Sequence, residues 1–276
     1  MSDVNPTEKV VQYYDSFDEW GRLDREPIEF LVNCHHVRTN LPAEGRLLDI
    51  GAGPGKYSIA LADWGYEITL ADLSPRLVEM ARLKAREAGV EQRFAGFHVA
   101  DARDLSAFAD EQFDACLMLG PLYHLQTVED RIKAVNELRR VTKKGGLVFA
   151  AFMSRLRHLA TSLMFPEAWK PNHTVQGVSD FLETGVFNHS DEGRFTGAYY
   201  FDIDEIKPFM ESNGFESLKL IGSGSVAGAL NSEQWNYWKK RGDEEFGQMM
   251  QIIMKASESP YILGTSSHLL YVGRRK

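Results

Sequence analysis

The chain has 276 residues, enough for one or two domains, and its 43% hydrophobic and 25% charged residues are those of an ordinary globular protein. Lys+Arg 31 against Asp+Glu 39 gives a net charge of -8, a field that repels nucleic-acid phosphates and anionic lipid. Two cysteines, Cys34 and Cys116, exclude a disulfide framework and a cysteine-based zinc site.

The first residues, MSDVNPTEK, place Asp3 and Glu8 where a secretory signal needs basic and then apolar residues. No apolar run approaches the ~18 residues of a membrane span, so a cytoplasmic protein without membrane or nucleic-acid partners is expected. Next, Val10, Tyr13, Tyr14 and Phe17 follow the i, i+3, i+4, i+7 template of an amphipathic helix. Residues 1–40 either pack on a sheet edge or form a helical lid over the ligand end of the sheet. From residue 46 to about 152, β-like runs alternate with amphipathic segments: RLLDIG (46–51), EITLAD (67–72), RFAGFHVAD (93–101), FDACLML (113–119) and GLVFAAF (146–152). Repeated βαβ units predict a doubly wound α/β fold with the ligand outside the carboxyl ends of its strands. In the helix 128–141, Val128, Ile132, Val135, Leu138 and Val141 share one face, and Lys143 to Gly146 form a stop signal. The rhythm breaks over 153–198, which reads as an inserted helical segment. It resumes with a helix closed by Gly214, with Pro208 tolerated near its first turn, then a strand, a helical stretch over about 231–257 and a last strand, HLLYVGRR (268–275).

The sharpest local signal is LLDIGAGPGKYSIAL (47–61), a strand that turns through Gly51, Gly53 and Gly55 into a helix. Glycines suit a tight turn and let a ligand approach the backbone, which implies a nucleotide-like ligand. The dinucleotide fingerprint G-x-G-x-x-G is not met, because Pro54 intervenes and no third glycine is in register. Asp72 closes the second strand about 20 residues on, where a carboxylate can accept from both ribose hydroxyls. Asp101 at the third strand end suits an exocyclic amine; helix capping is the plainer alternative for both acids.

Together the LDIGAGPG loop (48–55), Asp72 in TLADLS, the DARDL segment from Asp101, FDACLMLGPLYHL (113–125) and RRVTKKGGLVFAAF (139–152) resemble the class I S-adenosylmethionine-dependent methyltransferases. GPLYHL, LETGVF and AYYF look like a bacterial small-molecule subgroup of that family. The resemblance implies a Rossmann-like sheet of seven strands, mostly parallel with the last antiparallel, that binds S-adenosylmethionine. It places Asp49 and the backbone of Gly51 and Gly53 at the methionine end, Asp72 at the ribose, Asp101 and Ala102 at the adenine, and Leu119 and Gly120 beside the sulfonium. Ala52, Gly55 and Leu73 accompany them, with Tyr14 and Arg22 closing from the lid.

Methyl transfer from a sulfonium depends mainly on in-line placement, and needs a base only when the acceptor arrives protonated. Tyr123 and His124, beyond the fourth strand, are the candidate catalytic residues; for His124 a capping or packing role is the alternative. Arg155, His158, Trp169, Tyr199 and Tyr200 are the candidate acceptor-binding residues, within a pocket that also draws on Phe181, Phe187, Phe195 and Trp235. These aromatics are equally suited to be the insert's own core. The motifs of adenine and cytosine methylation and of magnesium-dependent catechol enzymes are absent, so metal-independent transfer to N or O of a small molecule or peptide terminus is expected, by a monomer or homodimer. A nicotinamide-dependent oxidoreductase and a non-catalytic S-adenosylmethionine-binding protein are the competing readings. The chain reads as one decorated domain: lid 1–40, cofactor core 41–152, insert 153–198 over the acceptor pocket, and 199–276 with the closing helix, strands and a second helical insertion.

Overall fold

A computed structural model of the chain describes residues 6–25, 27–191 and 197–276. Seven strands form one sheet: β1 (Arg46–Ile50), β2 (Glu67–Asp72), β3 (Phe94–Val99), β4 (Phe113–Met118), β5 (Thr142–Met153), β8 (Phe215–Gly222) and β9 (His268–Arg275). Between β5 and β8, β6 (Val186–Phe187) and β7 (Ala198–Tyr199) pair separately. The sheet order is β3-β2-β1-β4-β5-β9-β8, with β9 antiparallel to both neighbours, as the resemblance implied. Strand order reverses between β1 and β4, which opens a crevice at their carboxyl ends. Because β9 runs backwards, its first residue, His268, pairs with Met153 at that same end.

Neighbouring residues on a strand point to opposite faces, and both faces here are covered. Leu48 and Ile50 enter the core beneath helices Val128–Val141 and Ile203–Ser212, whereas Leu47 faces the core beneath Pro27–Asn40, Lys56–Asp63 and Asp243–Ser257. Three helices, Pro6–Ser16, Glu19–Arg25 and Pro27–Asn40, precede the sheet. The described residues contain no helix long and apolar enough to cross a membrane.

Several local expectations are corrected. In helix Val128–Val141, Val128 and Ile132 are exposed, and the buried face runs through Arg131, Ala134, Val135, Leu138 and Val141. The reason is Arg131, whose guanidinium donates to the carbonyls of Leu125 and Gln126 at 2.8 and 2.9 Å and lies 3.5 Å from the Tyr199 ring centroid. A buried arginine with those partners outweighs two apolar side chains that sheet contact would have covered. Pro208 lies in the interior of Ile203–Ser212, beyond its first turn. The predicted stretch 231–257 is two helices, Ser232–Lys239 and Asp243–Ser257, separated at Gly242 with φ 96°. β5 starts at Thr142, so the expected stop signal lies in a bulged strand start.

The rotated face has a stability signature. Leu138→Ala is expected to cost ~2–5 kcal/mol, and Val128→Ala no more than about 0.5, both measured by urea denaturation. Equal losses would place Val128 in the core after all.

Candidate active site

The loop after β1 is shaped by steric contact. Gly51 has φ +67°, and a Cβ there would meet Pro121 Cγ at 2.5 Å, so a side chain would push the β4 loop away from the β1 loop. The helix Lys56–Asp63 follows. A Cβ on Gly55 would instead meet Ala81 Cβ at 3.0 Å and Leu70 at 3.1 Å. Gly55 therefore serves helix–sheet packing and is not among the cavity-lining residues.

The amides of this loop are already used. Gly51 and Ala52 donate to the carbonyl of Ala71 at 2.8 and 3.2 Å, Gly53 to Asp72 Oδ2 at 2.8 Å, and Gly55 to the carbonyl of Ala52 at 3.0 Å. A diphosphate needs such amides as donors. What the loop has left is carbonyl oxygens beside two acids, Asp49 and Asp72, an acceptor set suited to a ligand with an ammonium or sulfonium charge.

A cavity of about 360 Å³ lies over these strand ends. It gathers Asp49, Gly51, Ala52, Gly53, Asp72, Leu73, Asp101, Ala102, Leu119 and Gly120 with Tyr14 and Arg22 from the N-terminal helices, and with Tyr123 and His124. Burial pushes the Asp49 carboxyl up to about 7, against a 2.6 Å hydrogen bond donated by Ser58 and helped by neighbouring Asp72. Such a group is ionised most readily when a cation arrives beside it. Asp72 Oδ1 accepts from the Ser74 amide at 2.9 Å, which fixes the carboxylate's orientation. Asp101 is gripped by the Arg103 guanidinium at 2.6 Å, which outweighs burial and holds its carboxyl below the usual range. An adenosyl group with an amino-acid tail fits this acid-rich, partly apolar cleft.

A second chamber of about 1230 Å³ adjoins the first. Five side chains, Tyr14, Glu19, Arg22, Glu29 and Tyr123, line both and so form a shared wall. Arg22 grips Glu19 at 2.7 Å and reaches Glu29 at 3.2 Å, and Glu29 Oε2 lies 3.1 Å from His268 Nδ1. Burial alone would raise the Glu29 carboxyl, but its contacts with the His268 ring and the Arg22 guanidinium outweigh it and hold it well below the carboxylate range. The Tyr14 hydroxyl lies 2.9 Å from His124 Nε2, latching the first helix to the loop after β4. Burial pushes the His124 imidazole down to about 4. Tyr123 donates to the carbonyl of Leu119 at 3.3 Å. Glu29 and His268 were not among the sequence candidates: His268 is hidden in the last strand, and nothing in local spacing couples it to residue 29.

The proposed acceptor residues divide. Trp169, Tyr200 and Trp235 line the second chamber. Arg155, His158 and Tyr199 line neither cavity. Arg155 donates to the carbonyls of Tyr200 and Leu182, and Tyr199 lies under Arg131. His158 is packed among Trp169, Phe181, Phe187 and Tyr200, stacked 4.2 Å from the last, and burial pushes its imidazole down to about 4. Phe181 and Phe187 are core of the insert, and Phe195 lies outside the described residues.

Fold and cleft together define a nucleoside-binding α/β protein whose loop is built for a positively charged ligand. Residues 48–150 match the methyltransferase domain family. The ubiquinone biosynthesis O-methyltransferase of Xanthomonas axonopodis pv. citri is 34% identical over 143 residues, 50% of this chain and 57% of that protein. The chain thus matches little more than half the length of this curated relative. The CcbJ methyltransferase from Streptomyces caelestis superposes with a TM-score of 0.63 at 15% identity over 99% of both chains. A 1,6-didemethyltoxoflavin-N1-methyltransferase from Burkholderia thailandensis, solved with bound 1,6-didemethyltoxoflavin and S-adenosylhomocysteine, gives a TM-score of 0.57 at 14% identity over 98% of this chain and 87% of that one. Residues 48–150 thus carry a methyltransferase domain, and S-adenosylmethionine is the cofactor that the cleft suits.

Two measurements test this geometry. Asp72→Ala should weaken S-adenosylhomocysteine binding by ~1.5–3 kcal/mol, the size of hydrogen bonds to a charged group, read by calorimetry; unchanged affinity would remove Asp72 from the ligand contacts. The second concerns acid stability. An unfolded histidine takes up its proton near 6.5, and folded His158 does so only near 4, so the unfolded state binds more protons between those values and stability falls as pH drops through that window. His158→Phe should make urea stability less steep there, by up to about 1.4 kcal/mol per pH unit. An unaltered slope would show that His158 is protonated in the folded protein.

Proposed function

We propose that the protein transfers the methyl group of S-adenosylmethionine to an oxygen of a small molecule held in the second chamber. The observation that carries this reading is the shared wall, which brings a nucleoside-sized cleft and an aromatic chamber into contact across five side chains. When bound, S-adenosylmethionine supplies an electrophilic methyl on a positively charged sulfur. Asp49 and the loop carbonyls would accept from its ammonium group, Asp72 from the ribose hydroxyls, and Asp101 from the adenine amine beside Ala102 and Leu73. Leu119 and Gly120 would border the reacting end. Tyr14, latched to His124, would close the cleft against water, which strengthens every electrostatic contact inside.

A hydroxyl acceptor must lose its proton as the new O–C bond forms. With the His268 Nδ1 proton directed at Glu29, the lone pair falls on Nε2, which has no hydrogen-bond partner among the described residues. His268 would take the acceptor's proton there, and Glu29 would orient the ring and stabilise the imidazolium. His124 is less suited, because its Nε2 already meets Tyr14 and its basicity is lowered by burial. Transfer to oxygen also accords with the O-methyltransferase name of the curated relative, whose matched segment spans about half of this chain. On this reading the lid, insert and C-terminal helices are parts of one site within a single decorated domain.

Incubation with methyl-labelled S-adenosylmethionine and a small-molecule extract should yield a product one methyl heavier. His268→Ala should slow that transfer by ~10²–10⁴-fold while S-adenosylhomocysteine still binds. If nicotinamide dinucleotides raise the melting temperature and S-adenosylhomocysteine does not, the methyltransferase reading fails.

A further inference from the structure

The charges around the second chamber are unevenly paired. Three carboxylates line it, and each has a cation: Glu19 and Glu29 share Arg22, and Asp24 meets Lys56 at 2.5 Å. The lining cations Arg157 and Lys239 have no carboxylate partner among the described residues. From this asymmetry we infer that the acceptor is a planar hydroxylated molecule bearing a carboxylate, a hydroxylated aromatic acid in its simplest form, with its anion on Arg157 and its hydroxyl at His268. The inference rests on the methyl-transfer reading and adds the acceptor's class to it.

Placement supports the pairing of these two residues. The Ser154 amide donates to the carbonyl of Ser267 at 3.2 Å, and Ser154 Oγ accepts from the Arg157 amide at 3.2 Å. Arg157 thus stands in the first turn of helix Arg155–Met164, beside the β5–β9 junction where Met153 pairs with His268. A proton acceptor and a half-buried, unpaired guanidinium therefore border one chamber from adjacent strand ends. Arginine's planar fork matches a carboxylate in two parallel hydrogen bonds, and a cation removed from water gains most from such a partner.

The rings describe the rest of the ligand. Tyr13 and Phe17 stack at 5.2 Å with an interplanar angle of 18°, and Trp169, Tyr200 and Trp235 face the same chamber. Flat apolar walls favour a planar body. A cationic amine would meet Arg157 and Lys239 as like charges, with every lining carboxylate already paired.

The test uses the full-length protein and begins with S-adenosylhomocysteine binding by calorimetry; its absence would remove the methyltransferase reading itself. With that ligand saturating, dissociation constants are measured for 4-hydroxybenzoate, neutral 4-hydroxybenzyl alcohol and cationic 4-hydroxybenzylamine by ligand-detected NMR. The acid is expected to bind at least about tenfold tighter than the alcohol, the scale of one charged hydrogen bond, and the amine weakest. Arg157→Gln should bring the acid to the alcohol's level without altering alcohol or S-adenosylhomocysteine binding, and Arg157→Lys should restore part of the preference. The acceptor class is overturned if the alcohol or amine binds as well as the acid. It is equally overturned if the acid's advantage survives Arg157→Gln, or if none of the three binds a protein that holds S-adenosylhomocysteine.

Discussion

The Glu29 carboxylate ties this structure together. It is held between Arg22 of helix Glu19–Arg25 and His268, the first residue of the last strand, so one acid joins the two ends of the chain. A largely buried carboxylate is tolerable only when such partners surround it, and removing one from a buried pair typically costs ~3–5 kcal/mol. The same cluster is also the wall between the cleft and the chamber. Stability and site geometry therefore depend on the same few atoms, and the N-terminal helices are fixed over the sheet by charge as well as by packing.

The glycine loop follows a related logic. Its amides are consumed by Ala71, Asp72 and Ala52, which leaves acceptors where a dinucleotide fold presents donors. A turn of similar glycine content thus distinguishes a cationic nucleoside from a diphosphate by where its hydrogen bonds go. Asp72 contributes twice: it receives the Gly53 amide, which holds the loop, and it presents a carboxylate oriented by Ser74.

Arginines decide much of the remainder. Arg131 turns its helix so that Val128 and Ile132 face out, and it pins Tyr199. Arg155 is absorbed by backbone carbonyls of the insert, whereas Arg157, two residues on, borders the chamber without a carboxylate partner. Three cationic side chains near one end of the sheet have three different roles because their neighbours differ, and spacing along the chain carries no information about those neighbours.

By itself the sequence determined the alternating βαβ order, the glycine turn, the acids at successive strand ends and the resemblance these carry to a methyltransferase domain. Those features are local: strand period, turn chemistry and strand-end placement lie within short stretches, so the first four strands were legible to within two residues, whereas the fifth begins at Thr142, four residues before the expected start. The partnership of Glu29 with His268, the occupation of His124 by Tyr14, the inward turn of Arg131 and the division of the insert's aromatics into core and chamber wall were decided only by tertiary structure. The first depends on groups more than two hundred residues apart, which meet because the antiparallel last strand returns His268 to the carboxyl edge of the sheet; the others depend on how neighbouring elements pack. Burial there changed what each polar group needed, and its partner across the fold decided what it was left to do.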